Sequence, residues 1–177
     1  MGNISSNLRK NAKYINKLSN SKKDIIYKYT ANNSTIEKNL DDKNTLIDII
    51  NNAPVLTSPM VVYRGVRLKF MSNLKTSLTT FVSTSLSKDI GRSFIKTGGV
   101  ILAITLQPGT KYLYVKNVSK YKTEEEIVLP PQGVFILTHE GFEKIYDDIY
   151  GKMFTIKVLY VTYLPAESKP LGEINEE

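Results

Sequence analysis

Short helices followed by a run of strands make the expected fold class α+β. Three observations predict it. Residues 21–52 carry apolar positions at helical spacing, with capping residues ahead of them. After Pro59 the composition turns to β-branched and aromatic runs punctuated by Gly, Pro and Asn. The run Thr123-Glu124-Glu125-Glu126-Ile127-Val128-Leu129-Pro130-Pro131 then drives three acids into a short apolar strand that two prolines end.

The elements follow in chain order. Residues 1–23 hold Arg9, Lys10, Lys13, Lys17, Lys22 and Lys23 and no acid. Ile4, Leu8, Ile15 and Leu18 recur at helical spacing, so residues 1–20 read as a basic amphipathic helix or arm. The opening Met1-Gly2-Asn3-Ile4-Ser5-Ser6 fits the pattern for N-myristoylation at Gly2. One acyl chain beside a basic patch would hold a protein at a membrane. The alternative is a packed first helix with its lysines in water.

Ser21 suits the cap of a helix through Tyr29, Ser34 with Glu37 suits a capping box, and Asn44 or Thr45 suits the cap of a third helix. Met60–Val66, Thr79–Leu86, Val100–Leu106, Tyr112–Val115, Ile127–Leu129, Gly133–Leu137 and Met153–Tyr163 read as strands. Ser87–Ile95 reads as a short helix, and Asp147–Gly151 as a hairpin turn. The acidic tail, residues 165–177, is expected to be disordered. Residues 21–164 form one expected domain.

Composition bounds the chemistry. The chain has 177 residues, 41% hydrophobic and 23% charged, which suits one soluble domain with a full core. No apolar run is long enough to span a bilayer. No secretory signal is present, so a cytoplasmic location is expected. Cysteine is absent, which leaves no disulfide framework or thiolate metal site. The single histidine, His139, argues against a zinc site or a Ser-His-Asp triad and reads as a loop residue. The net charge of +7 favours anionic partners without choosing among them. No nucleic-acid motif is recognisable, and no nucleic-acid partner is expected.

Three strands carry candidate chemistry. Tyr63-Arg64-Gly65 sets an arginine inside an apolar run. Buried arginines need an anion, and the guanidinium fork suits a phosphate. Gly65 would admit a ligand or another backbone. The plainer reading of Arg64 is a strand-end pair with a protein carboxylate. Ser83-Thr84-Ser85 alternates, with Ser83 and Ser85 on one face and Thr84 on the other. Such hydroxyls can orient a carboxylate, or merely line an edge. On the acidic strand Glu124 and Glu126 would share a face, roughly 7 Å apart, with Glu125 opposite. Two such carboxylates can hold a sugar cation and a cationic nucleophile. The plainer reading is a solvated edge that resists strand pairing.

Taken together, these parts resemble the arginine-serine-glutamate class of mono-ADP-ribosyltransferases, which includes the enzymatic parts of clostridial binary toxins and phage transferases. The resemblance covers residues 21–164. Tyr29-Thr30 with Ile36 and Leu40 is similar to the family's helical segment, with Glu37 where asparagine is usual. Tyr63-Arg64-Gly65-Val66, Phe81-Val82-Ser83-Thr84-Ser85 and Glu124-Glu125-Glu126-Ile127-Val128-Leu129-Pro130 match the strand motifs. The resemblance implies short N-terminal helices packed on two facing, mostly antiparallel sheets, with NAD as substrate in the cleft between them. It implies transfer of ADP-ribose to an arginine of a protein target, an actin-like one being a candidate. No metal is required.

By the same resemblance Arg64 grips the NAD pyrophosphate, and Tyr63, Gly65, Thr84, Ser85, Phe94 and Arg92 belong to the NAD-binding set. Ser83 holds Glu126. Glu126 binds the nicotinamide ribose and stabilises the oxocarbenium-like cation. Glu124 orients the acceptor guanidinium, and Tyr121 falls where the family's acceptor loop carries an aromatic. Tyr121 also reads as a loop tyrosine covering the core. The family often has a second arginine just after a phenylalanine. Here Ile95 and Lys96 follow Phe94 and Arg92 precedes it, so Arg92 and Lys96 both stand as candidates. An inactive nucleotide- or partner-binding relative, and an NAD glycohydrolase, are the rival readings.

Overall fold

The computed structural model describes residues 4–67, 74–89, 98–148 and 150–166. Gly2, Arg92, Phe94 and Lys96, with most of the helix expected over residues 87–95 and the end of the acidic tail, lie outside these residues.

Four helices come first: α1 (Ile4–Asn16), α2 (Asn20–Ala31), α3 (Asn33–Lys38) and α4 (Leu40–Asn51). Each later helix is started by a side chain that accepts a backbone N–H, from Ser19 for α2, Asn32 for α3 and Asn39 for α4. These caps differ from the expected Ser21, Ser34 and Asn44 or Thr45. Asn39 wins over Asn44 because Asp41 and Asp42 then fall in the first turn, where the helix dipole favours acids. Glu37 closes no capping box; its Oε1 accepts the Phe81 amide at 2.8 Å and ties α3 to the sheet.

Eight strands follow: β1 (Met60–Arg67), β2 (Lys75–Ser77), β3 (Val82–Ser85), β4 (Gly99–Leu106), β5 (Leu113–Tyr114), β6 (Glu126–Leu129), β7 (Val134–Asp147) and β8 (Lys152–Leu164). Their order is β2-β7-β8-β4-β1-β3-β6-β5. Among the described residues only the β4–β8 pairing is parallel; the others are antiparallel. The two expected sheets are joined edge to edge. β1 and β4 share eight registered pairs, whereas β1 meets β3 only at Tyr63 opposite Ser85. That narrow joint separates a five-strand part from the three-strand part β3-β6-β5.

The two parts pack on each other through one apolar core. Val62, Leu102 and Ile104 come from the larger part, and Val82, Ile127 and Leu129 from the smaller. The other face of the small part meets the helices: Val128, Leu113 and Phe81 pack with Ile26, Tyr29, Ile36, Leu46 and Ile50. Here the period-2 alternation of β6 serves two cores at once, which is why Ile127, Val128 and Leu129 are all buried. His139 is not in a loop. It sits in β7, its ring stacked on Tyr160 at 4.2 Å, because the strand-forming run of β8 pairs with residues as far as Asp147. No helix among the described residues is long and apolar enough to cross a membrane.

Candidate active site

The strand order brings the three motifs side by side, since β1, β3 and β6 are neighbours. Antiparallel register puts Ser85 opposite Glu126 and Ser83 opposite Val128. Directly opposed residues project to the same face. Ser83, Ser85 and Glu126 therefore share the face that looks toward α2, and Thr84 points the other way.

Arg64 Nη1 donates to the Ser83 carbonyl at 2.7 Å, across the joint between the two parts of the sheet. Its Nε is buried and has no hydrogen-bond partner. Arg64 is thus held through Nη1, with a buried donor left unsatisfied. Burial lowers the Arg64 pKa, and Tyr29 and the Glu126 charge oppose that shift.

Glu126 opens β6 and is 7% exposed. Its pKa is raised, first by burial and then by the charge of Glu124; hydrogen bonding from Ser83 and the charge of Arg64 pull it back down. The carboxyl is thus kept largely out of water, which on balance disfavours its ionised form.

The Ser83 hydroxyl is shared with Tyr29, whose OH lies 3.0 Å from Ser83 Oγ. Tyr29 is 2% exposed, and its ring meets Phe81 edge-on at 5.5 Å. Burial raises its pKa strongly, so it stays a neutral hydroxyl. Its nearness to the site was not assigned from sequence. The contact spans 54 residues, and the one signal for it was the helical Tyr-Thr segment.

Glu124 is placed differently from the expectation of one strand face. β6 begins at Glu126, so Glu124 lies in the turn before it. The Glu124 amide donates to the Tyr121 carbonyl at 3.0 Å, placing both residues on one exposed turn. Glu124 still raises the Glu126 pKa, so the two charges are within electrostatic reach. Glu125 is turned toward Lys116, with Oε1 3.6 Å from Nζ. The turn is pinned to α2 where the Lys120 amide donates to Thr30 Oγ1 at 3.0 Å.

The other candidates make contacts of their own. The Thr84 hydroxyl is buried and donates to the Ile127 carbonyl at 2.8 Å, so it fastens β6 to β3. Ser85 Oγ accepts the Ser87 amide at 3.1 Å. The Tyr63 ring packs against Ile101, Ala103, Ile156 and Val158, with Lys88 Nζ 5.7 Å from its centroid. Gly65 lies in β1 opposite Ile101.

This arrangement has known counterparts. The family model described as ADP-ribosyltransferase exoenzyme matches residues 6–145. Plx2a, an ADP-ribosyltransferase toxin from Paenibacillus larvae, is 17% identical over 89% of this chain and 92% of that one, with a TM-score of 0.64. C3stau2 from S. aureus, solved with NAD, is 16% identical over 93% of this chain and 97% of that one, with a TM-score of 0.64. The enzymatic component C2-I of the C2 toxin from Clostridium botulinum is 16% identical over 95% of this chain but 48% of that one, with a TM-score of 0.68. Likeness at these identities concerns the fold. No curated protein sequence matches the chain.

Proposed function

The chain belongs to the ADP-ribosyltransferase exoenzyme family, and from that premise we propose that it transfers ADP-ribose from NAD to an arginine side chain of a protein. The observation that supports the reading most is the buried Glu126 carboxyl beside Ser83 and within reach of the Arg64 charge. In this reading the half-satisfied Arg64 fork takes the pyrophosphate. The glycosidic C–N bond to nicotinamide breaks, and its electron pair leaves with the ring. Positive charge then spreads over C1 and the ring oxygen of the ribose, and the Glu126 carboxylate stabilises it. A guanidinium nitrogen of the acceptor bonds to C1 and gives up a proton.

Arginine is proposed as acceptor because Glu124 is an exposed carboxylate on the turn just before Glu126. A carboxylate attracts and orients a cation, which a neutral amide cannot do. Tyr121 on the same turn offers a ring to the guanidinium or to the protein around it. An actin-like protein is the first candidate to try, with the cytosol of a host cell as the setting. The test incubates the protein with NAD and an arginine-rich protein, and follows nicotinamide release together with label on arginine. Glu126→Gln keeps the shape and removes the charge. It should lower both signals at least about a hundredfold, or roughly 2.7 kcal/mol. Wild-type rates in that variant would remove the mechanism.

A further inference from the structure

The outward face of α1 takes no part in the site just described, nor in the core. Asn7, Asn11 and Ile15 are its buried residues, one every four positions. Both asparagines are committed. Asn7 Oδ1 accepts the Thr57 amide and hydroxyl at 2.9 Å, and its amide donates to Ser58. Asn11 donates to the Tyr112 carbonyl at 2.9 Å and accepts the Tyr114 amide at 2.8 Å. Two amide side chains clamped this way fix the rotation of the helix.

Arg9, Lys13 and Lys17 repeat the same four-residue spacing two positions on, about 200° around the axis. They project opposite the buried face, and Lys10 lies beside them. All four are exposed, and none forms an ion pair with a described residue. Lys17 continues the last turn, its amide bonded to the Tyr14 carbonyl. Lys22 adds a further exposed cation just beyond the start of α2, and residues 1–23 contain no acid. Aligned like charges repel one another, and within the chain only Lys13, in the last turn of α1, gains from the helix dipole. The row as a whole is exposed to a partner outside the chain.

We propose that this stripe docks the protein on an anionic lipid bilayer. A row of cations along roughly 12 Å of helix suits a flat, diffuse negative surface. The Met-Gly-x-x-x-Ser pattern occupies residues 1–6, at the N-terminal end of the same helix, where an acyl chain would add to a basic patch. The clamp at Tyr114, on the opposite side of α1, ties the helix to β5, which leads into the turn bearing Tyr121 and Glu124. Docking there would hold the acceptor site near the membrane and favour targets at that surface.

The test uses the full, unacylated chain with phosphatidylcholine vesicles, with and without phosphatidylserine, in a sedimentation assay at physiological salt. The wild type should bind only the vesicles containing phosphatidylserine. Each interfacial cation is worth about fivefold in affinity. Reversing Arg9, Lys13 and Lys17 to glutamate should therefore cost more than tenfold. Reversing Lys75, Lys144 and Lys152, exposed on β2, β7 and β8, changes the net charge equally and should cost less than about threefold. Circular dichroism should show both triple variants folded. Indifference to phosphatidylserine overturns the proposal, and so does an equal loss in the two triple variants. Binding to duplex DNA without binding to anionic vesicles overturns it in favour of a nucleic-acid partner.

Discussion

At Glu126 four influences act on one carboxyl, and they have opposite signs. Burial and Glu124 raise its pKa, while Ser83 and Arg64 lower it. The ionised form is the one that stabilises a cation, so activity should fall on acidification through a pKa above the ordinary carboxylate value. Ser83→Ala removes a lowering influence and should move that acidic limb to higher pH. Glu124→Gln removes a raising influence and should move it to lower pH, measured on NAD hydrolysis by water. A merely structural role for either residue would change rates without moving the limb in opposite directions. Glu124→Gln should also lose arginine modification while keeping much of the hydrolysis, and Glu125→Gln, paired away with Lys116, should change little. An essential Glu125 would sink the assignment of both carboxylates. Stability follows the same shift. A carboxyl whose pKa is raised by folding contributes fully below its unfolded value, and that contribution is lost as pH rises through the folded pKa. Glu126→Gln should therefore melt higher than wild type at neutral pH. The gap should close at acid pH, and an equal gap at both would contradict the shift.

Among the elements, β3 and β6 form the platform on which the carboxyl stands, and Thr84 fastens them from the core side. Thr84→Val keeps the strand-forming shape and removes the buried hydroxyl bond to the Ile127 carbonyl. It should cost about 1 kcal/mol of stability and slow nicotinamide release by less than about tenfold. A loss as large as that of Glu126→Gln would show Thr84 acting on the substrate itself. These strands were legible in sequence because each is short and carries β-branched residues. Glu124 was less legible: alternation placed it on a strand, yet the strand starts two residues later, where pairing with Ser85 begins. The far half of β7 was not legible either. His139 to Asp147 mixes charged and apolar residues on both faces, and its strand state is imposed by pairing with β8. The caps missed their places by a few residues, since Asn and Ser abound in the helical third and several would have served.

Over the whole molecule, the helices are part of the site's foundation. One core lies between the two parts of the sheet, and a second joins the helices to the small part through Val128, Phe81 and Leu113. The strands that carry Ser83 and Glu126 thus have a core on each side. Sequence could announce helices and strands but could not show this sandwiching, nor the single-pair joint at Tyr63 and Ser85. Both depend on contacts between segments far apart in the chain. The sandwich has a thermodynamic consequence. Ile50, wholly buried in the second core, touches no candidate site residue's chemistry, so its loss should act through packing alone. Ile50→Ala should cost about 2–5 kcal/mol, a large share of a domain's stability. If the helices only covered the sheet, that loss would loosen α4 and leave the β4 amides protected. If the two cores share one cooperative unit, amide exchange in α4 and at Leu102 and Ile104 should quicken by the same free energy. Nicotinamide release per folded molecule should stay near wild type while the melting temperature falls. Faster exchange confined to α1–α4 would separate the helices from the sheet and refute the single unit.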